Sequence, residues 1–355
     1  MNVLLAVIGV AAMFLFLIAP HEAGHFLVAK LCRVRVIEFS IGAGTRLWSA
    51  TRGGTVYAIR AFPILGYVRM GGMEAGDFDD PNGFHRKPAW QRLAILAAGP
   101  AANFVVAIVL ITAVGLAHVN ENPGKVVAVG SSTPAAAAGF RAGDTIKSVN
   151  GSPMSRPDQL RKIEDANPGK PLVLAGAHSD GKAFSTTVTP AQVCRDGVCQ
   201  YQLGVQIQPI LTTRDAVVGG VTFPYTAVKN IVVGLSQLIT GEVPGGLLGP
   251  NGLTGPVGIA DVAFQSVSLG LDTYIFFVAL LSVALGFTNL LPFFALDGGR
   301  MVVVVIEALR RRPFDRAAEL NFQRFGLVAL LGLAAVITFL DIQRIATGQF
   351  PGLTP

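Results

Sequence analysis

The stretch NVLLAVIGVAAMFLFLIAPHEAGHFLVAK, residues 2–30, runs from uncharged apolar sequence straight into two histidines and a glutamate. Residues 2–19 carry no charge. An apolar run of about 18 residues or more is a membrane-helix candidate. The alternative is a secretory signal peptide. That would begin with a basic region and end in a small-residue cleavage site, and this run has neither. On a helix, His21 and His25 of the HExxH pattern lie one turn apart on one face, so both rings can reach a single metal ion. Glu22 sits beside them, placed to take a proton from a water molecule. Zinc suits this set, because it lowers the pKa of a water toward ~7. HExxH also occurs by chance in unrelated helices. Ionisable groups at the end of an apolar span are costly to bury, which favours the metal reading.

The whole chain points toward lipid. Of 355 residues, 51% are hydrophobic and only 14% charged, against about 25% charged in soluble domains. Three further apolar runs cover residues 93–117, 273–291 and 325–340. The expected fold is therefore an α-helical membrane protein of about four transmembrane helices. Four spans place both termini on one side. Residues 30–92 hold ten Lys and Arg, and residues 300–324 hold six, so those segments read as cytoplasmic. The termini and residues 118–271 then face outward. The formal net charge is +6, but no basic run is interleaved with aromatics. Nucleic acid is excluded as a partner and membrane lipid is implied.

The chain divides at residues 117, 211 and 271. Residues 1–117 hold HExxH, a cytoplasmic β segment and the second span. Residues 118–211 read as a β-rich domain, with short strands at 125–129, 145–149, 172–175 and 185–188 separated by turns such as Asn150-Gly151 and Asp180-Gly181. Residues 212–271 hold a helix at 216–239, interrupted by Lys229, Asn230 and Gln237, and a Gly/Pro-rich loop at 241–258. That helix reads as amphipathic on the membrane surface, or as an ordinary helix of the β-rich domain. Residues 272–355 carry the last two spans. The cysteines are Cys32, Cys194 and Cys199, without the clustered spacing of a structural zinc site. Cys194-Arg-Asp-Gly-Val-Cys199 reads as a hairpin on an Asp196-Gly197 turn, with Cys194 facing Cys199. A disulfide in an oxidising outward compartment and two free thiols are both compatible with it.

A catalytic zinc takes three protein ligands and an open position. His118 and His178 fall on the outward side, and His85 in a polar loop. Asp297, in Asn289-Leu-Leu-Pro-Phe-Phe-Ala-Leu-Asp-Gly-Gly299, lies at the same depth and side as His21. A carboxylate in so apolar a stretch must be paired or coordinate a metal, unless it belongs to a surface loop.

HExxH at a first span, a distant Leu-Asp-Gly at a later one, and a β domain between them resemble the site-2 protease family of intramembrane metalloproteases. The bacterial branch that cleaves anti-sigma factors is the nearest in pattern. Gly99-Pro-Ala-Ala-Asn103 and residues 39–72 match as well, so the resemblance covers nearly the whole chain. It implies Zn2+ held by His21, His25 and Asp297, with Glu22 activating water. Asn103 and Asn289 match family asparagines that support the site or the substrate, although helix–helix hydrogen bonding accounts for them nearly as well. The chain departs from the pattern at Phe294, where relatives often carry a second proline. Residues 132–151 are similar to a bacterial PDZ domain, a module that takes extended peptides at a sheet edge or filters uncut substrates. The implied partner is a single-span membrane protein such as an anti-sigma factor, cut earlier on its outward side. The implied location is a bacterial inner membrane, with the PDZ-like domain in the periplasm.

Residues 54–72 alternate apolar and other residues with glycine interruptions, which predicts a β segment near the site. It would offer a strand edge to substrate, or serve only as a structural hairpin. Two other functions fit the composition. A PDZ-based scaffold would have no use for Glu22. An ion-coupled transporter would show internal repeats, and none is visible in the sequence.

Overall fold

The computed structural model describes residues 3–73, 76–195, 198–249 and 251–350. In chain order the elements are α1 (Val3–Leu31), β1 (Val36–Arg52), β2 (Thr55–Met70), α2 (Ala89–Ala117), β3 (Val126–Val129), α3 (Pro134–Ala137), β4 (Thr145–Val149), β5 (Ser152–Pro153), α4 (Gln159–Ala166), β6 (Leu172–Ala177), β7 (Ala183–Val188), β8 (Ala191–Arg195), β9 (Val198–Gln202), β10 (Val205–Ile207), α5 (Thr213–Thr240), α6 (Pro256–Leu269), α7 (Leu271–Leu290), α8 (Asp297–Arg310) and α9 (Arg316–Ala346). They form two units, residues 1–114 with 219–355, and residues 115–218.

Each of the four expected spans is a helix: α1, α2, α7 and α9. A fifth helix, α5, is also long and apolar enough to cross a membrane. Lys229, Asn230 and Gln237, which make it look amphipathic in sequence, all lie on its exposed side. Its packed side is a seam of small residues. Ala216 lies against Gly115, Gly220 against Thr112, and Ala227 is buried with Ala107, Ala279 and Val283. Small residues let two backbones approach closely, which is how helices hold together in lipid. These pairings run α5 antiparallel to α2. The return is made in α6. Ile259 and Ala263 pack with Leu17 and Met13, and Val267 meets Gly9, so α6 is antiparallel to α1. The extra descent in α5 is thus offset before α7 begins. Tyr274 of α7 donates its hydroxyl hydrogen to the Gly9 carbonyl at 2.7 Å, fixing α7 beside α1.

The expected β segment is a larger sheet than the sequence suggests. Residue 40 of β1 pairs with both Tyr67 and Ala58 of β2, and Ile41 with both Gly66 and Ile59. The two long strands therefore bend into four segments in the order 46–52, 55–60, 36–43 and 66–70. Residues 66–70 form an edge of this sheet.

The second unit has an apolar core of Val126, Ile146, Val149, Leu160, Leu172, Leu174 and Leu203. The strand expectations at 125–129, 145–149, 172–175 and 185–188 correspond to β3, β4, β6 and β7. In β6 burial alternates, with Leu172, Leu174 and Gly176 inward, as a half-buried strand requires. Asn150 and Gly151 both take positive φ between β4 and β5, the conformation that favours Asn-Gly in a tight hairpin. In the β8–β9 hairpin Cys194 pairs with Cys199 and Arg195 with Val198, and the two cysteines are joined as a disulfide. Their Cα atoms are 4.0 Å apart. The expected turn residues Asp196 and Gly197 lie outside the described residues.

Two buried charges anchor these units. Asp144 is almost fully buried, which raises its pKa. Three contacts more than offset this: the Arg141 N–H (2.9 Å), the His178 ring (3.0 Å) and the Ser179 N–H (3.0 Å). The carboxylate is held below its ordinary value of 3.8. Its contribution is therefore present above about pH 4 and is lost as pH falls through the lowered value. Asp144→Asn is expected to remove about 1–3 kcal/mol at neutral pH and to flatten that acid dependence, read by hydrogen exchange of β6. In the first unit Glu307, buried on α8, receives Arg92 of α2 at 2.5 Å and Arg316 of α9 at 2.7 Å. Glu307→Ala strands two cations and should cost about 3–5 kcal/mol, measured as a fall in the unfolding temperature of the chain in detergent. Arg92→Ala should cost less, because Arg316 still neutralises the acid.

Candidate metal centre

One helix interior and one helix start build the site. In α1, Pro20 lacks the N–H that would close the turn ahead of His21. His21 and His25 follow on one face, both buried. Asp297 is the first residue of α8, where a helix N-terminus favours a carboxylate. The Leu-Asp-Gly-Gly run has a steric origin. A side chain at Gly298 would strike the carbonyls of Leu290 and Leu291, and one at Gly299 that of Phe293. Only glycine lets α8 begin so close to the turn that leaves α7. Phe294, where the family resemblance leads one to expect proline, stacks on Phe322 of α9 with ring centroids 5.6 Å apart. The aromatic ring ties the loop to α9, where a proline would stiffen the loop itself.

The ligand-type atoms converge. His21 Nε2 lies 3.3 Å from Asp297 Oδ2, His25 Nε2 lies 3.2 Å from the same oxygen, and the two Nε2 atoms are 3.2 Å apart. A tetrahedral zinc with bonds of about 2.0–2.1 Å needs ligand atoms about 3.3 Å from one another. The tautomer fits too. His25 Nδ1 donates its hydrogen to the Ile95 carbonyl at 2.8 Å, which turns the Nε2 lone pair inward. That carbonyl sits beside the opening Pro100 makes in α2, where the N–H that would close on Leu96 is missing. With His25 Nδ1 as donor, two lone pairs, those of His25 Nε2 and Asp297 Oδ2, face each other across 3.2 Å. They repel unless a proton or a metal ion lies between them. The donor set therefore fits zinc. Among the described residues, His21, His25 and Asp297 are the only such cluster.

A cavity of about 710 Å3 opens onto the cluster, lined among others by Glu22, Tyr67, Asn289 and Arg300. The sheet edge at residues 66–70 forms one wall. Gly66 is required there, because a Cβ would come within 2.9 Å of Glu22 Cγ. Asn289 lines the cavity while donating to the Leu285 carbonyl at 3.0 Å. Asn103 does not reach it. It is fully buried between α2 and α7 beside Gly286, and its main-chain carbonyl accepts the Ser282 hydroxyl hydrogen at 2.9 Å. His85, His118 and His178 lie outside the cluster. His85 is largely buried near Arg316 and Arg92, and burial first, then those cations, pulls its pKa down to about 3.

Residue patterns alone did not single out Gly99 or Arg300. A side chain on Gly99 would overlap the His25 ring. Gly99 opens the Gly99-Pro-Ala-Ala-Asn103 segment, so the signal was there without its reason. Arg300 is one helical turn from Asp297 and donates to Gln323 of α9 at 2.8 Å. That i+3 spacing was its only trace in the sequence.

Residues 9–333 match the model of peptidase family M50. The chain is 29% identical to the regulator of sigma-W protease RasP of Bacillus subtilis, over 96% of this chain and 98% of that protein. It is 30% identical to the metalloprotease MmpA of Caulobacter vibrioides, over 94% of each. Among solved structures, the PDZ domain of an SdrC-like protein from Listeria monocytogenes aligns with 25% of this chain and 90% of its own length, at 18% identity and a TM-score of 0.22.

Gly99→Ala alters no ligand, yet it presses on His25 Nε2. It is expected to weaken zinc retention by about 10–100-fold, measured as zinc content after dialysis against a metal buffer.

Proposed function

The chain belongs to peptidase family M50, as a multi-pass membrane zinc metalloprotease, and from that premise we propose that it cuts single-span membrane proteins within or beside the bilayer. The observation that carries this reading is the 3.2–3.3 Å triangle of His21, His25 and Asp297, with Glu22 beside it on a cavity in the apolar bundle. Bound by those three residues, zinc would acidify a water molecule and polarise the scissile carbonyl. Glu22 takes the proton at its carboxylate and returns it to the leaving nitrogen. His25 is held in its working tautomer by the Ile95 carbonyl.

A substrate helix has its backbone hydrogen bonds satisfied internally and must unwind before a carbonyl is exposed. The edge at residues 66–70 supports an extended backbone at the cavity wall and offsets part of that cost. Asn289, which lines the cavity, would hold the unwound segment. The family resemblance and the name of the Bacillus relative favour anti-sigma-factor-like substrates, trimmed beforehand on the outward side. They also favour a bacterial inner membrane with residues 118–211 outward. The Cys194–Cys199 disulfide suits an oxidising outward compartment.

Two experiments test this. Cleavage of trimmed single-span reporters in membranes should fall about 10²–10⁴-fold in Glu22→Gln at equal expression and equal zinc content. Equal cleavage by both forms would remove Glu22 as the base. Tyr67→Pro disturbs the backbone of residues 66–70 at the cavity wall, and should lower cleavage while zinc content and fold survive. Undiminished cleavage would leave the sheet edge a structural role only.

A further inference from the structure

The second unit contains a groove of about 350 Å3 between α4 and residues 200–207. Its walls are Leu160 on the helix, and Tyr201, Val205 and Ile207 on the opposite side. Among the described residues, β10 pairs with β3 along one side and has no strand on the other. An unpaired strand edge facing an apolar helix is a seat for an extended peptide, which completes the ladder with its own backbone.

The end of the groove is unusual. Ahead of β10 the chain turns through Leu203 and Gly204, with Gly204 at φ +85°. A backbone N–H presented at such a turn binds anions, and it is where a groove of this type would receive the terminal carboxylate of a peptide. Here the Leu203 N–H is already taken. Glu164 reaches across from α4, and its Oε1 accepts that hydrogen at 2.9 Å. Glu164 is only 6% exposed, so the contact is built into the core edge. Asp165 follows it on the same lip of the groove.

We propose that this groove takes an internal extended segment of a polypeptide and refuses a chain terminus, because Glu164 supplies from within the carboxylate that the Leu203 N–H would otherwise bind. An incoming C-terminus would meet an occupied donor and a like charge. A segment that continues past the turn brings no carboxylate and loses nothing. Specificity in the groove then rests on Glu164 and on the apolar wall.

The test uses the full chain, immobilised in detergent, and is read as binding, so it stands apart from cleavage. The probe is a labelled degenerate decapeptide pool in three forms: free acid, C-terminal amide, and extended by a Gly-Ser tail. The unaltered chain should bind the amide and the extended form more tightly than the acid. Glu164→Ala should then favour the acid over the amide by about tenfold, the effect of one freed charge-assisted hydrogen bond. Glu164→Gln keeps an oxygen on the Leu203 N–H and should show no such preference. If Glu164→Ala does not fold, Glu164→Asp withdraws the carboxylate by one methylene and is read the same way. Binding of the acid by the unaltered chain as tight as that of the extended form would overturn the proposal. So would the absence of any acid preference in the opened variant, or retention of none of the three forms by the unaltered chain.

Discussion

Three electron-rich atoms, from His21, His25 and Asp297, are held within 3.3 Å of one another inside an apolar bundle. That convergence is unfavourable without a cation, and much of the first unit is arranged to enforce it. The backbones of α1 and α2 meet at Gly24, where a Cβ would strike the Ala98 carbonyl. Gly99 leaves room for the His25 ring, and Gly298 with Gly299 lets α8 start against the turn after α7. At each point the close approach depends on a missing side chain. Apolar packing of Met13, Leu17, Ala263 and Val278 then holds α1 against α6 and α7.

The polar neighbourhood is arranged with equal economy. Glu307 joins α2, α8 and the start of α9 through Arg92 and Arg316. Asp341 accepts the N–H groups of Gly255 and Gly258, both at 2.9 Å, and so pins the start of α6 to α9. Each of these acids is buried and each joins helices distant in sequence. A buried acid with several donors is costly to remove, which makes it a better fixing point than an exposed ion pair.

The parts of the molecule that chemistry makes costly were legible in the sequence. His21, Glu22, His25 and Asp297 stood out because ionisable groups in apolar runs need a reason, and the structure gathers them at one cavity. The four long spans were legible because uninterrupted apolar length is a strong signal. The helix α5 was less so. Its Lys229, Asn230 and Gln237 broke the run, while the decisive signal was a seam of Ala216, Gly220 and Ala227 that only packing reveals. The doubled-back sheet of β1 and β2 was half visible, since a strand that pairs on both sides looks the same in sequence as one that pairs on one. Asn103 was singled out as an intramembrane amide, but the sequence could not say whether it faced the cavity or a neighbouring helix.

On the proposed ligand set, the order of those residues along the chain has a consequence for how the enzyme comes into being. His21 and His25 leave the ribosome early, while Asp297 follows only after the whole β-rich insert and the helices α5, α6 and α7 have been made. Until then the first helix carries two ligands and a base with no third ligand to close the site. On that set a nascent chain lacks a complete site during insertion, and gains one only when the segment carrying Asp297 is translated and packed. On the same set, any truncation upstream of Asp297 leaves the site one ligand short, so the chain's own synthesis times its activity.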